Sequence, residues 1–124
     1  MFGDTKAFSS FAVDDLSAAN RFYGETLGLR VSEDNGLLTL HIAGDRDILV
    51  YPKPDYTPAT YTILNFPVPD IDAAVDELTA RGVRFERYEG FKQDEKGIDR
   101  VSGGPPIGWF TDPAGNILAV LQLD

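Results

Sequence analysis

Phe11-Ala12-Val13-Asp14-Asp15-Leu16-Ser17-Ala18-Ala19 returns further along as Phe66-Pro67-Val68-Pro69-Asp70-Ile71-Asp72-Ala73-Ala74. Phe11, Val13, Asp15, Leu16, Ala18 and Ala19 match Phe66, Val68, Asp70, Ile71, Ala73 and Ala74 at one constant offset. Both copies end an apolar, β-compatible run on an aspartate and then begin a helical stripe. An aspartate at that point accepts from the free amides of the first helical turn, so each copy reads as strand, cap and helix. A recurrence at this distance marks an internal duplication.

Working outward from the first copy, residues 7–13 form a strand. The stripe Leu16, Ala19, Phe22, Tyr23 and Leu27 forms a helix ended by Gly28. Residues 29–33 and 37–42 are two strands joined at Asp34-Asn35-Gly36, a strong hairpin signal. Asp47–Tyr51 is a fourth strand, and Pro52, Pro54 and Pro58 make a linker. The order then repeats. Tyr61–Val68 is a strand, and Asp70 caps a helix carrying Ile71, Val75 and Leu78 that Gly82 ends. Val83–Tyr88 is a strand, residues 90–106 are irregular, and Ile107–Thr111 and Ile117–Leu123 flank the turn Asp112–Asn116. The reading is α+β: one domain over residues 1–124, made of two tandem βαβββ modules at about 6–53 and 60–123, with eight strands and two main helices. Neither module is long enough to bury both faces of its sheet. Two side by side would form a curved mixed sheet with a concave cleft opposite the helices, where ligands bind.

The bulk properties narrow the function. The 124 residues include no cysteine, which excludes disulfides, thiolate metal sites and thiol nucleophiles, and permits a cytoplasmic location. No apolar run approaches a membrane span, and Met1–Lys6 lacks the pattern of a signal peptide. A formal net charge of −9 disfavours nucleic acid and anionic membrane and favours a cationic ligand, or serves solubility alone.

The chain resembles the vicinal-oxygen-chelate superfamily of glyoxalases, bleomycin-resistance proteins and dioxygenases. The resemblance is carried by Phe11–Leu16, Arg21-Phe22-Tyr23-Gly24-Glu25-Thr26-Leu27-Gly28-Leu29, Phe66–Ile71, Arg81-Gly82-Val83 and Trp109–Asn116, in order along nearly the whole chain. It implies the tandem βαβββ fold, and, in the family's enzymes, one divalent metal held by side chains of the first and last strands of each module. Carried over, those positions are Phe8, Leu49, Ile63 and Ala119, none of which can donate a lone pair. The resemblance is therefore to a member without the usual metal ligands, and no cofactor is expected.

Strand alternation assigns the faces. Phe11, Val13, Leu64, Phe66 and Val68 turn to the helices. Phe8, Ser10, His41, Leu49, Tyr51, Ile63, Asn65, Trp109 and Ala119 turn to the cleft as the expected ligand-binding residues, with Lys53 at the margin. Such a cleft is mostly apolar, with a few polar groups, and suits a small hydrophobic or cationic molecule. Trp109 and Phe8 could instead fill the space a metal would take, and His41 could be an ordinary half-exposed strand residue. Three functions remain open. One is a metal-free protein that binds or sequesters a small molecule. The second is an enzyme of lyase, isomerase or dioxygenase type working by metal-independent acid–base chemistry, with His41 or a carboxylate as base. The third is a structural module with a closed cleft. A homodimer is expected from the resemblance and from the need to cover sheet edges.

Overall fold

The computed structural model describes residues 1–123. The chain divides into two compact units, one running from Met1 to Thr57 and the other from Pro58 onward.

The first unit holds β1 (Ser9–Val13), α1 (Leu16–Arg21), β2 (Arg30–Asp34), β3 (Leu37–His41) and β4 (Ile48–Pro52), in the sheet order β1-β4-β3-β2. The β1–β4 pair is parallel, and the other two pairs are antiparallel. The Asp15 carboxylate accepts from the Ala18 amide at 3.1 Å and starts the helix as expected. The helix is not uniform. Its last turn, Phe22–Thr26, is π-helical, with the Leu27 amide donating to the Phe22 carbonyl. The wider turn presents Tyr23 to the core, fully buried and 5.7 Å from the Phe11 ring. Gly28, at φ 76°, ends it with the left-handed residue that side chains disfavour. Val13, Leu38, Leu40 and Val50 complete the core of this unit. Asn35 and Gly36 both have positive φ, as a two-residue hairpin turn requires.

The second unit holds β5 (Thr62–Val68), α2 (Ile71–Ala80), β6 (Ile107–Thr111) and β7 (Ile117–Gln122), in the order β5-β7-β6. Again the outer strand, β5, runs parallel to its neighbour β7. Asp70 caps α2 as Asp15 caps α1, accepting from the Ala73 amide. Ile71, Val75, Val83, Phe110, Leu118 and Val120 form the core.

Among the described residues seven strands form, not eight. The expected strand Val83–Tyr88 is an extended segment joined to β6 by a single bridge, Phe85 to Phe110, and by the Glu86 amide donating to the Trp109 carbonyl at 2.7 Å. A side chain takes the place of the missing ladder. Gln93 Nε2 donates to the Glu86 and Gly97 carbonyls, and its Oε1 accepts from the Tyr88 amide, each at 2.8 Å. Two backbone groups of the segment, the Glu86 carbonyl and the Tyr88 amide, are thus satisfied by a side chain rather than by a partner strand.

Residues 90–106 are irregular but pinned. Asp99 bridges both Gln93 and Ile107, and its side chain accepts from the Val101 and Ser102 amides and the Ser102 hydroxyl. These bonds hold the Asp99 carboxyl below the usual carboxylate range. Lys96 and Arg100 reach back to Asp72 on α2. Ile98 is fully buried in the core.

Candidate functional site

In the second unit the two faces of the sheet differ sharply. On the α2 side, Gly108 lies under the Phe85 ring and Phe110 stacks against it at 5.5 Å. On the opposite side, the register aligns Asn65, Ala119 and Trp109 in one row across β5, β7 and β6. Three expected site residues thus share a face. Ala119 is fully buried and Asn65 exposed. Ile63 leaves the row, because the register shifts between Thr62 and Leu64.

Trp109 is half-buried and carries two further rings. Tyr88 meets it edge-on at 5.6 Å and 73°, and Phe91 is tilted against it at 5.0 Å and 51°. These rings wall a recess of about 280 Å³ with Tyr61, Thr62 and Ile117. Phe91 and Trp109 also bound a second recess of about 180 Å³ that includes Asp99, Ser102 and Ile107. Burial pushes the Tyr88 phenol up from its ordinary value, aided by the Glu86 charge, so Tyr88 remains a neutral donor. A larger cavity of about 430 Å³ lies on the α2 side. Its walls include Phe85 with Asp76, Arg84, Glu95 and Lys96, one ring among charged groups where the recess at Trp109 has several. The aromatic recess is the better ligand site, since apolar walls with a few polar groups hold small molecules.

In the first unit, Ser10 pairs with Leu49 across β1–β4, and Tyr51 pairs with Ala12 two residues on. His41 shares their face, through Thr39, which pairs with Leu49. Phe8 precedes β1 and is 69% exposed. Lys53 is tied to Asp55 at 2.8 Å, which raises its pKa. His41 has two partners: Nε2 is hydrogen-bonded to Ser32 Oγ, and Nδ1 lies 3.2 Å from Asp47 Oδ1.

The sequence reading missed Tyr61 and Tyr88 beside Trp109, and Ser32 and Asp47 beside His41. The hairpin at Asn35-Gly36 carried a signal for Ser32, since a two-residue turn fixes which residues face one another. For Tyr88 there was none, because its position depends on the Gln93 side chain.

The positions that the family resemblance assigns to metal ligands are Phe8, Leu49, Ile63 and Ala119, and their side chains offer no donor atom. Among the described residues no three His, Asp or Glu side chains gather where they could hold a metal ion. The residues present do not fit the metal of the family's enzymes. No helix among them is long and apolar enough to cross a membrane.

Comparison with solved structures gives the same fold throughout. The antibiotic binding protein TnmS3 from Streptomyces sp. CB03234 is 24% identical, with 98% of each chain covered and a TM-score of 0.69. A member of the glyoxalase/bleomycin resistance protein/dioxygenase superfamily from Sphaerobacter thermophilus DSM 20745 is 25% identical, covering 94% of this chain and 97% of its own, at 0.71. The fosfomycin resistance protein FosX from Listeria monocytogenes is 16% identical, covering 95% and 92%, at 0.72. No curated protein matches the chain. The model of the Glyoxalase/Bleomycin resistance protein/Dioxygenase superfamily matches residues 7–120, and with the mixed α+β fold and the duplicated strand–cap–helix units this shows that the chain belongs to that superfamily.

Proposed function

We propose that this protein binds and sequesters a small hydrophobic or cationic molecule, without a metal, against Trp109. One observation carries the reading: Tyr88 and Phe91 pack on Trp109 and leave an apolar recess of about 280 Å³ open beside it. Aromatic faces attract both flat apolar groups and cations, the latter by roughly 0.5–2 kcal/mol per well-placed ring. The net charge of −9 draws cations toward the surface. The description of TnmS3 as an antibiotic binding protein agrees with this use of the fold. In this reading Asn65 orients the ligand across the row from Trp109, and the chain works in the cytoplasm as a homodimer that covers exposed sheet edges. Sedimentation at high micromolar concentration tests the dimer.

Trp109 is the single tryptophan. A panel of hydrophobic and cationic compounds should yield ligands that change its emission, and Trp109→Ala should weaken them at least tenfold. If no compound perturbs the emission, and Trp109→Ala chiefly lowers thermal stability, the recess is closed core and the proposal fails.

A further inference from the structure

Three side chains of the first unit make an unbroken hydrogen-bonded line. Asp47 Oδ1 lies 3.2 Å from His41 Nδ1, and His41 Nε2 is bonded to Ser32 Oγ. The hairpin register builds it. Arg30 pairs with His41 and Ser32 with Thr39, so Ser32 and His41 are diagonal neighbours on one face. Asp47 stands just before β4, which is antiparallel to β3, and so comes alongside His41.

A carboxylate against Nδ1 keeps the imidazole proton there and leaves the Nε2 lone pair toward the hydroxyl. Ser32 Oγ then donates to Nε2. This is the relation that makes a serine nucleophilic: a base within hydrogen-bond reach, itself oriented by a third group. The line is accessible. Ser32 is exposed, and the His41 and Asp47 side chains are 23% and 53% exposed. His41 is the single histidine, so no other imidazole competes as base.

We propose that Ser32 accepts acyl groups from activated esters, with His41 as general base and Asp47 as the residue that positions it. Ser32 Oγ attacks the carbonyl carbon as its proton passes to His41 Nε2. The bond from that carbon to the leaving oxygen breaks, and Nε2 returns the proton to the departing phenolate oxygen, giving the phenol. Water then adds to the acyl-serine by the same proton path, releasing the carboxylic acid and restoring Ser32. Ser32 is exposed on β2, the edge strand of its sheet, so the tetrahedral oxygen forms against solvent, which must stabilise it. That restricts the substrates to esters with stable leaving groups, such as aryl esters, and excludes amides.

The test is 4-nitrophenyl acetate mixed with the intact protein. Release of nitrophenol should show a burst of about one equivalent per chain, with one acetyl group mapped to Ser32 by peptide mass. Ser32→Ala should abolish the acetyl group, and His41→Gln should slow its formation by roughly a hundredfold. Ser32 is exposed, so its removal leaves the core intact. Nitrogen shifts of the lone imidazole give a second readout: the proton should reside on Nδ1, and Asp47→Asn should move population toward Nε2–H. Acetylation confined to lysines or the N-terminus, an acetyl-imidazole that persists in Ser32→Ala, or an imidazole already protonated at Nε2 would each overturn the proposal.

Discussion

A β-carbon placed on Gly108 would stand 3.1 Å from the ring of Phe85, closer than packed side chains normally come. Phe85 has little room to retreat. Its backbone is bridged to Phe110, and its own β-carbon lies 3.0 Å from where a side chain on Gly97 would begin. Gly108→Ala should therefore destabilise the second unit, and Gly108→Val more so, by about 1–3 kcal/mol as overpacked cores generally lose. Denaturant unfolding measures it. Unchanged midpoints would mean that the ring yields freely.

Gln93→Ala should loosen the segment carrying Tyr88. The Glu86 and Gly97 carbonyls and the Tyr88 amide would each lose a partner at 2.8 Å. A loss of roughly 1–3 kcal/mol is expected for polar groups left unpaired. Because Tyr88 contacts Trp109, the emission of Trp109 should move to longer wavelength even where the protein stays folded. Emission identical to wild type would show that the segment does not depend on Gln93.

The turn before β7 rests on Asp112, which is 3% exposed. Its Oδ1 accepts from the Ala114 and Asn116 amides, both at 2.9 Å, and its Oδ2 from Asn116 Nδ2. Asp112→Ala strands buried donors and should cost about 1–3 kcal/mol, read as a lowered Tm. An exposed turn aspartate would show almost no change.

Acid should release the strap over α2. The Arg100 guanidinium, and then the Lys96 ammonium, hold the Asp72 carboxyl below its ordinary value of 3.8. A carboxyl whose folded pKa is depressed stabilises the fold above its unfolded pKa and loses that contribution as pH falls through the folded value. The Tm difference between wild type and Arg100→Gln should hold from pH 7 to about 5 and shrink below about 4. A difference that persists at pH 2 would assign the role of Arg100 to packing. All these groups are well exposed, so the effect should be small and salt-sensitive.

How much of this was readable beforehand follows from how local each cause is. Asp15 and Asp70 cap helices from three positions away, and Asn35-Gly36 turns a hairpin within itself, so sequence alone located them. The inner faces of β1 and β5 follow from alternation, which also assigned Asn65, Ala119 and Trp109 to one face, whereas their alignment in one row came only with the strand register. Val83–Tyr88 has the composition of a strand, but the Gln93 side chain occupies its backbone groups, and no periodicity records that. The register shift that removes Ile63 from its row is equally silent. The acetyl-accepting line at His41 was half legible. The histidine stood out, whereas Ser32 and Asp47 became its partners only once the strands were paired.

In each unit the strand that comes first in the chain lies parallel to the one that comes last, Ser9 beside Ile48 and Thr62 beside Ile117. Parallel neighbours cannot be joined by a tight turn, so each pair closes a long loop whose entropy is lost before the contact repays it. The hairpins β2–β3 and β6–β7, whose connections are short, carry no such burden. Folding should begin at these hairpins and finish when β1 and β5 dock, making the parallel seams the slow step. Pulsed hydrogen exchange should find the amides of β3 and β7 protected before those of β1 and β5. The seam that completes each unit is then also its most exposed moment on the way to the native state, when an unpaired β4 or β7 edge stands open to a second chain.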